Sequence, residues 1–312
     1  MQQAYKIAAI DVGTNSVRLL VCEISPQGEL IPLYKHIMTT RIGEGLSATG
    51  QLGDEAIDRT IEAIEELKEK AVEMGAQRVM CYATAAVREA ENKDHFIRKT
   101  HRKTQLLVDV LPGEVEAQVS FAGVPGSGAR CTVDIGGGST DVVLGFDDVP
   151  LVSASLRLGA VRAAERYPLG DVADPLTLTA MQQWAGNVMK SELKDLMESA
   201  GSLSQITYYG VGGTCTTLAA MDQQLAEYDP EKVHGYRLTR RRVGEMLEQL
   251  CGLTLEQRKA LPGLSPKRAD IIIGGTVILA AFMDKMQAEA IRISERDNLE
   301  GYILTRLKKE QS

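Results

Sequence analysis

The feature that most constrains this chain is a strand that ends in Asp-x-Gly and turns back on itself, and it occurs twice. Ile10-Asp11-Val12-Gly13-Thr14-Asn15-Ser16 is the first copy and Asp134-Ile135-Gly136-Gly137-Gly138-Ser139-Thr140 the second. Apolar, β-prone residues lead into each turn (Tyr5–Ile10, Arg130–Ile135), and a second strand leaves it (Ser16–Ile24, Asp141–Phe146). Each copy therefore reads as a hairpin closed by a glycine turn. A third strand is predicted after each, over Leu30–Arg41 and Leu151–Arg157. A three-strand meander that recurs, and then gives way to alternating helix and strand, is a weak internal duplication. It predicts an α/β fold of two similar halves.

Length agrees with two halves: 312 residues at roughly 150 per domain. The Gly/Pro/Ser stretch Gly123–Gly128 is a natural boundary, giving an N-terminal domain 1–124 and a C-terminal domain 125–312. In the first, a helix runs from an Asp54 cap through Ile57, Ile61, Ile64, Leu67 and Ala71 to Gly75. A strand Arg78–Ala83, a helix Lys93–Arg102, a strand Leu106–Leu111 and a helix opening at Pro112-Gly113 follow. In the second, a helix Leu178–Glu198, a strand Gln205–Val211, helices from Thr214, Thr239 and Pro266, a strand Ala290–Ser294 and a helix Leu299–Lys309 are predicted. Two such halves can face each other across a cleft, a common place for ligands.

Composition excludes several classes. Hydrophobic residues at 44% and charged residues at 25% fit a soluble globular protein. The longest apolar run, Ile271–Met283, falls short of the ~18 residues of a membrane span and reads as a buried helix. The N-terminal apolar stretch is short and broken by Lys6 and Asp11, a poor signal peptide. The net charge of −7 argues against a nucleic-acid partner, because phosphate neutralisation supplies much of that affinity. Five scattered cysteines without a CxxC pair argue against structural zinc and a disulfide framework, and a cytoplasmic location fits. The four histidines show no metal-ligand spacing.

The two turns carry the chemistry. Backbone N–H groups of Gly13, Thr14, Asn15 and Ser16, and of Gly136, Gly137, Gly138, Ser139 and Thr140, can converge on an anion. Glycine lets the backbone approach phosphate closely. Asp11 and Asp134 repel phosphate directly but can hold a hydrated Mg²⁺ that binds it. Gly212-Gly213-Thr214 is a third glycine loop between strand and helix, where amides favour phosphate, although such αβ loops are commonplace. Glu114 and Glu116 lie just past a strand end, at i and i+2, so only one can face a ligand. That one is either a general base toward water or simply an acid placed at a helix N-terminus. Arg88 follows a strand directly and is either a phosphate clamp or a surface residue. The basic clusters Arg98–Lys103 and Arg240–Arg242 are either a polyanion track or solvated helix faces.

In order along nearly the whole chain, these motifs resemble the exopolyphosphatase and guanosine-pentaphosphate phosphohydrolase family. The points of match are Ile10–Ser16, Ala83-Thr84-Ala85-Ala86-Val87-Arg88, Gly113-Glu114-Val115-Glu116-Ala117, Asp134–Asp141, Gly212-Gly213-Thr214 and Leu261-Pro262-Gly263-Leu264. The resemblance implies two RNase H-like domains of the actin-like (sugar kinase) ATPase fold with an interdomain cleft. It implies that the final helix, about 298–312, packs back on the first domain, and that the chain is a homodimer. Glu116 would be the catalytic base, Asp134 and Asp141 metal-associated acids, and the loops with Arg88 the holders of terminal phosphates. The implied activity is release of terminal orthophosphate from inorganic polyphosphate with Mg²⁺. Hydrolysis of guanosine pentaphosphate to tetraphosphate, non-catalytic binding of the alarmone or polyphosphate, and a kinase of the same fold are the competing expectations. Position 141 is usually Glu in the family. Val115 replaces a second family carboxylate, and Leu299 stands where Arg is common. The chain stops at Ser312, so it resembles the short form without the family's C-terminal helical region.

Overall fold

Each Asp-x-Gly hairpin starts a β-sheet in the computed structural model of the chain, which describes residues 4–203 and 205–311. Residues 1–3, the start of the stretch weighed above as a signal peptide, and Ser312 lie outside the described residues. The chain divides into two compact units, Met1–Gly123 with Asn298–Ser312, and Val124–Asp297.

In the first unit the order is β1 (Tyr5–Val12), β2 (Ser16–Ile24), β3 (Leu30–Thr39), α1 (Leu46–Thr49), α2 (Asp54–Glu73), β4 (Arg78–Ala83), α3 (Ala85–Glu89), α4 (Lys93–Thr104), β5 (Val108–Val110) and α5 (Gly113–Gly123). Its sheet runs β3-β2-β1-β4-β5. The first three strands are an antiparallel meander, and β4 and β5 continue parallel to β1.

The second unit holds β6 (Ala129–Ile135), β7 (Thr140–Phe146), β8 (Val149–Leu156), α6 (Ala160–Arg166), α7 (Pro175–Glu192), α8 (Lys194–Ala200), β9 (Thr207–Val211), α9 (Gly212–Asp222), α10 (Pro230–Val233), β10 (Arg237–Thr239), α11 (Arg240–Cys251), α12 (Leu255–Lys259), α13 (Ile272–Lys285) and β11 (Ala290–Ile293). Its sheet runs β10-β11-β9-β6-β7-β8, so β9 stands to β6 as β4 stands to β1. The last helix, α14 (Asn298–Gln311), belongs to the first unit.

The alternation of β1 explains its central place. Ala8, Ile10 and Val12 pack with Ile57, Ile61, Ile64 and Leu67 of α2, the helical stripe read from the sequence. Ile7 and Ala9 point the other way, to Leu20, Val119 and, on α14, Leu299 and Ile303. A strand buried on both faces is apolar at every position, and Asp11 is its one acidic residue. In the contact of α14 with α5, Gly301 lies where a methyl group would overlap the Val119 carbonyl oxygen. In the second unit α13 is buried along most of its length. Its Gly274 and Gly275 are pressed against Ala163 of α6 and Thr214 of α9.

Local signals explain where the elements differ from the sequence reading. Asp54 is the first helical residue rather than the cap; Gly53 takes that place without a side-chain bond, and Asp54 serves the helix dipole instead. The helix expected over Leu178–Glu198 is two, parted at Leu193, and it starts earlier because Asp174 accepts from the Thr177 N–H with Pro175 behind it. The segment from Pro266 opens with one 3₁₀ turn before α13. The short elements α1, α3, α6, α10, α12 and β10 have too few residues to show a period.

Replacing Gly301 by Ala should overpack the α5–α14 contact and cost about 1–3 kcal/mol, seen as a lower urea midpoint. All five cysteines are free. Burial pushes the Cys22 thiol up to about 12, helped by the charge of Glu300, and raises Cys81, Cys131 and Cys215 as well. A raised thiol stays protonated and unreactive. Ellman's reagent at pH 8 should leave those four unmodified in the native protein and label them only after denaturation.

Candidate active site

Both turns close in the same way. The Gly13 N–H donates to the Ser16 carbonyl at 3.0 Å, and the Gly136 N–H to the Ser139 carbonyl at 3.0 Å. Each turn then hands its carbonyls to the segment that follows its third strand. In the first unit, Thr14 O accepts from Gly43 N (3.0 Å), and Asn15 O from Thr40 N (3.2 Å) and Arg41 N (2.9 Å). In the second, Gly136 O accepts from Ala160 N (2.9 Å), and Gly137 O from Val161 N (2.9 Å) and Arg162 N (3.1 Å). Gly138 O accepts from Arg162 Nε at 2.9 Å. With the carbonyl edges tied to the protein, the peptide planes are fixed and their N–H edges turn the other way, as an anion-binding nest requires. Gly159 permits this in the second unit, since a methyl there would overlap the Gly137 carbonyl.

The acids of the two hairpins have different neighbours. The shared turn fixes the register: Asp11 lies opposite Arg18 on β1–β2, and Asp134 opposite Asp141 on β6–β7. Opposed residues project from one face of a sheet. Asp11, 2% exposed, accepts from Arg18 Nε at 2.9 Å and Nη2 at 2.5 Å, and Nη2 also bonds Asn298 at the start of α14. Asp134 and Asp141 are both buried. Gly212, at φ 77, sits so close to Asp134 that a methyl would overlap its Oδ1.

Gly212, Gly213 and Thr214 form the first turn of α9 rather than a loop ahead of it. Gly213 lies under the guanidinium of Arg268, which bonds its carbonyl and, at 3.0 Å, Thr217 Oγ1. Thr214 is buried against Gly275. The hydroxyls divide. Thr14 and Ser139 are buried at their turns and Ser16 is half-buried, whereas the fully buried Thr140 donates inward to Leu158 O at 2.8 Å. That bond commits the Thr140 hydroxyl to the core and leaves only its backbone N–H for the phosphate reading. Asn15 Oδ1 is buried with no hydrogen-bond partner among the described residues.

Past β5, the first turn of α5 separates its two acids: Glu114 is exposed and Glu116 is buried. Arg88, from α3, donates through Nη1 to Glu116 Oε2 at 2.6 Å and to Leu111 O at 2.8 Å. Arg88 is thus more than a solvated surface residue: it bonds the buried carboxylate. Such charge-assisted bonds are the strong ones.

Asp11 is in the first unit and is ion-paired, and no group of three His, Cys, Asp or Glu side chains suited to a metal occurs among the described residues. Two cations of the first basic cluster and all three of the second make ion pairs. Lys99 meets Asp58 and Lys103 meets Glu65. Arg240 meets Asp284 and Glu289, Arg241 meets Glu245, and Arg242 meets Asp222 and Glu245. Leu299 is buried in the core of the first unit, where no arginine role can be carried over. Sequence reasoning missed Arg18 and Arg268. The first was legible from the hairpin, because a turn that pairs Val12 with Val17 pairs Asp11 with Arg18; the second left no local signal.

A sequence model of the Ppx/GppA phosphatase family matches residues 20–310, and the chain belongs to that family. It is 34% identical over 320 residues to exopolyphosphatase 2 of Mycobacterium tuberculosis, covering 96% of this chain and 98% of the relative. It is 34% identical over 313 residues to a bifunctional 3-dehydroquinate synthase/phosphatase of Fusobacterium nucleatum, covering 95% of this chain but only 46% of that protein. The crystal structure of the Aquifex aeolicus Ppx/GppA family member aligns with a TM-score of 0.80 at 28% identity over 99% of both chains. The two units of mixed sheet and helix are consistent with the actin-like ATPase architecture of that family. No helix among the described residues is long and apolar enough to cross a membrane.

Substitution of Gly212 by Ala should be doubly unfavourable, through its positive φ and its contact with Asp134. A loss of about 1–3 kcal/mol, read from the denaturation midpoint, is expected.

Proposed function

We propose that this chain is an exopolyphosphatase, which hydrolyses the terminal phosphoanhydride bond of inorganic polyphosphate. The observation that carries the reading is the buried Glu116 held by Arg88 at the start of α5, in a chain whose two hairpins each present an anion nest. The family match and the exopolyphosphatase relative support it.

Glu116 would accept a proton from water while the water oxygen bonds the terminal phosphorus. The bond from that phosphorus to the bridging oxygen breaks, and orthophosphate and a chain one unit shorter result. Arg88 holds one carboxylate oxygen, which orients the base. The turns Gly13–Ser16 and Gly136–Ser139 would bind phosphate oxygens through fixed amides, so little reorganisation accompanies the reaction. Phosphoryl transfer depends mainly on such positioning and charge neutralisation.

The donor set of the second hairpin fits Mg²⁺, which binds through one or two carboxylates and completes its shell with water and phosphate oxygens. Asp134 and Asp141 would supply those carboxylates, with Gly212 leaving room at Asp134. Bound there, Mg²⁺ would supply neutralisation of phosphate charge. Asp141 is one methylene shorter than the family's usual Glu, so its carboxylate stays closer to the strand.

The test is orthophosphate release with Mg²⁺ from long-chain polyphosphate, guanosine pentaphosphate and ATP, for wild type and Glu116→Gln. Release from polyphosphate that falls by about 10²–10⁴-fold in the variant, with substrate binding kept, is expected. Near-wild-type turnover in Glu116→Gln removes Glu116 from the mechanism, and faster release from guanosine pentaphosphate moves the substrate to the alarmone.

A further inference from the structure

We infer that the first unit holds a ligand site apart from its hairpin: a cavity at the start of β4 that binds a small organic anion with an apolar body. The cavity follows from strand lengths. β4 pairs with β1 from Arg78 onward, but its pairing with β5 begins only at Cys81, opposite Val108. Arg78, Val79 and Met80 therefore have no β5 residue beside them. Ahead of β5 the chain leaves α4 through Gln105, in the left-handed region at φ 60. On one face of the sheet, Met80 and Tyr82 pack with Tyr302 and Ile303 of α14. The space left between these segments is a cavity of about 640 Å³, a volume usual for small-ligand sites. It lies at the far end of the strands from the groups of the proposed reaction. Arg88 and Glu116 follow the ends of β4 and β5, and β4, six residues long, spans roughly 20 Å.

The walls select the chemistry of the ligand. Strand alternation puts Arg78 and Met80 on the α14 face, and Asp109, opposite Tyr82, shares that face. Arg306 and Lys309 come from α14, and Leu107 from the approach to β5. Of the charged side chains lining the cavity, three are cations and one, Asp109, is an acid, in a chain whose net charge is −7. Asp109 is engaged already: it accepts from the Tyr302 hydroxyl at 3.0 Å and pairs with Arg306. The Tyr302 ring stacks on buried Tyr82, centroids 4.3 Å apart, and the Arg306 guanidinium lies over it at 5.1 Å. Burial, with the Asp109 charge, pushes the Tyr302 hydroxyl up to about 12, so it stays protonated and a donor. That wall is set before a ligand arrives, which lowers the cost of binding. Arg78 and Lys309 add positive charge at the rim. Met80, Leu107 and the aliphatic stems of the basic side chains supply apolar surface, and Leu107 is 77% exposed at the mouth. A carboxylate, sulfonate or phosphate on an apolar body meets both features. An inorganic anion meets only the charge, and a neutral apolar molecule only the surface.

The probe is 8-anilinonaphthalene-1-sulfonate, followed by its fluorescence, beside N-phenyl-1-naphthylamine, the same ring system without the sulfonate. Both are titrated into the full chain as wild type, Leu107→Asp and the double variant Arg78→Gln/Lys309→Gln. All three positions are exposed, so each variant should melt within about 2 °C of wild type. Wild type binds the sulfonate saturably, and more tightly than the neutral probe. Leu107→Asp, which takes away apolar surface and adds an acid, weakens the sulfonate by about tenfold or more. The double variant weakens the sulfonate by about tenfold, the scale of hydrogen bonds to charged groups, and leaves the neutral probe within about twofold. A wild-type chain that does not bind the sulfonate overturns the inference, and so does saturable binding that neither variant weakens, which puts the probe elsewhere. A neutral probe that loses as much as the sulfonate in the double variant overturns the choice of an anion.

Discussion

The bond from a glycine N–H to the carbonyl three residues on, made once at Gly13 and once at Gly136, is the constraint from which the rest follows. It sets the length of the turn, and turn length sets strand register. Register decides which side chain faces each acid. It also decides which side chains of β1 meet which of its two cores, and a slip of one residue would exchange the two faces. The same closure leaves the carbonyls of the intervening residues pointing out of the hairpin. They would be costly to leave unpaired, so the chain after the third strand returns to satisfy them.

That return shows why the glycines are where they are. Gly43 and Gly159 are not in the turns at all, yet a methyl at either would strike a turn residue. Gly212 and Gly213 likewise bring α9 against Asp134 and Arg268. These glycines are tolerances for close approach, and what approaches is a backbone that must be held still. Fixed amides bind an anion without reorganising for it, so the packing of glycine segments behind the turns is part of the proposed chemistry.

Much of this was legible in the sequence, and for a physical reason. The apolar, β-prone run at Tyr5–Ile10, the stripe of Ile57, Ile61, Ile64 and Leu67, and the apolar run in α13 are dictated by burial, which leaves a pattern in the sequence. The duplicated turn was legible because few residue types can make it. The opposite fates of Glu114 and Glu116 followed from helical geometry alone. What could not be read is contact between segments far apart in the chain. Nothing local ties Arg88 to Glu116, Arg268 to Gly213, or Asn298 to Arg18. The Thr140 hydroxyl is indistinguishable in sequence from a phosphate donor, and only its bond to Leu158 shows that the core uses it. Short helices such as α3 and α6 escaped because five or seven residues do not establish a period.

Duplication followed by divergence gives the differences between the hairpins their meaning. Two copies that keep the turn, the closing bond and the handling of the carbonyls have kept what binding an anion requires. They differ where charge is decided: Asp-Arg in one, Asp-Asp in the other. A pair of opposite charges supports its own geometry, whereas like charges opposed on one face do not. A fold built twice can in this way place two different charge arrangements on the same local structure, and a single position in the second strand, Arg18 or Asp141, decides which is which.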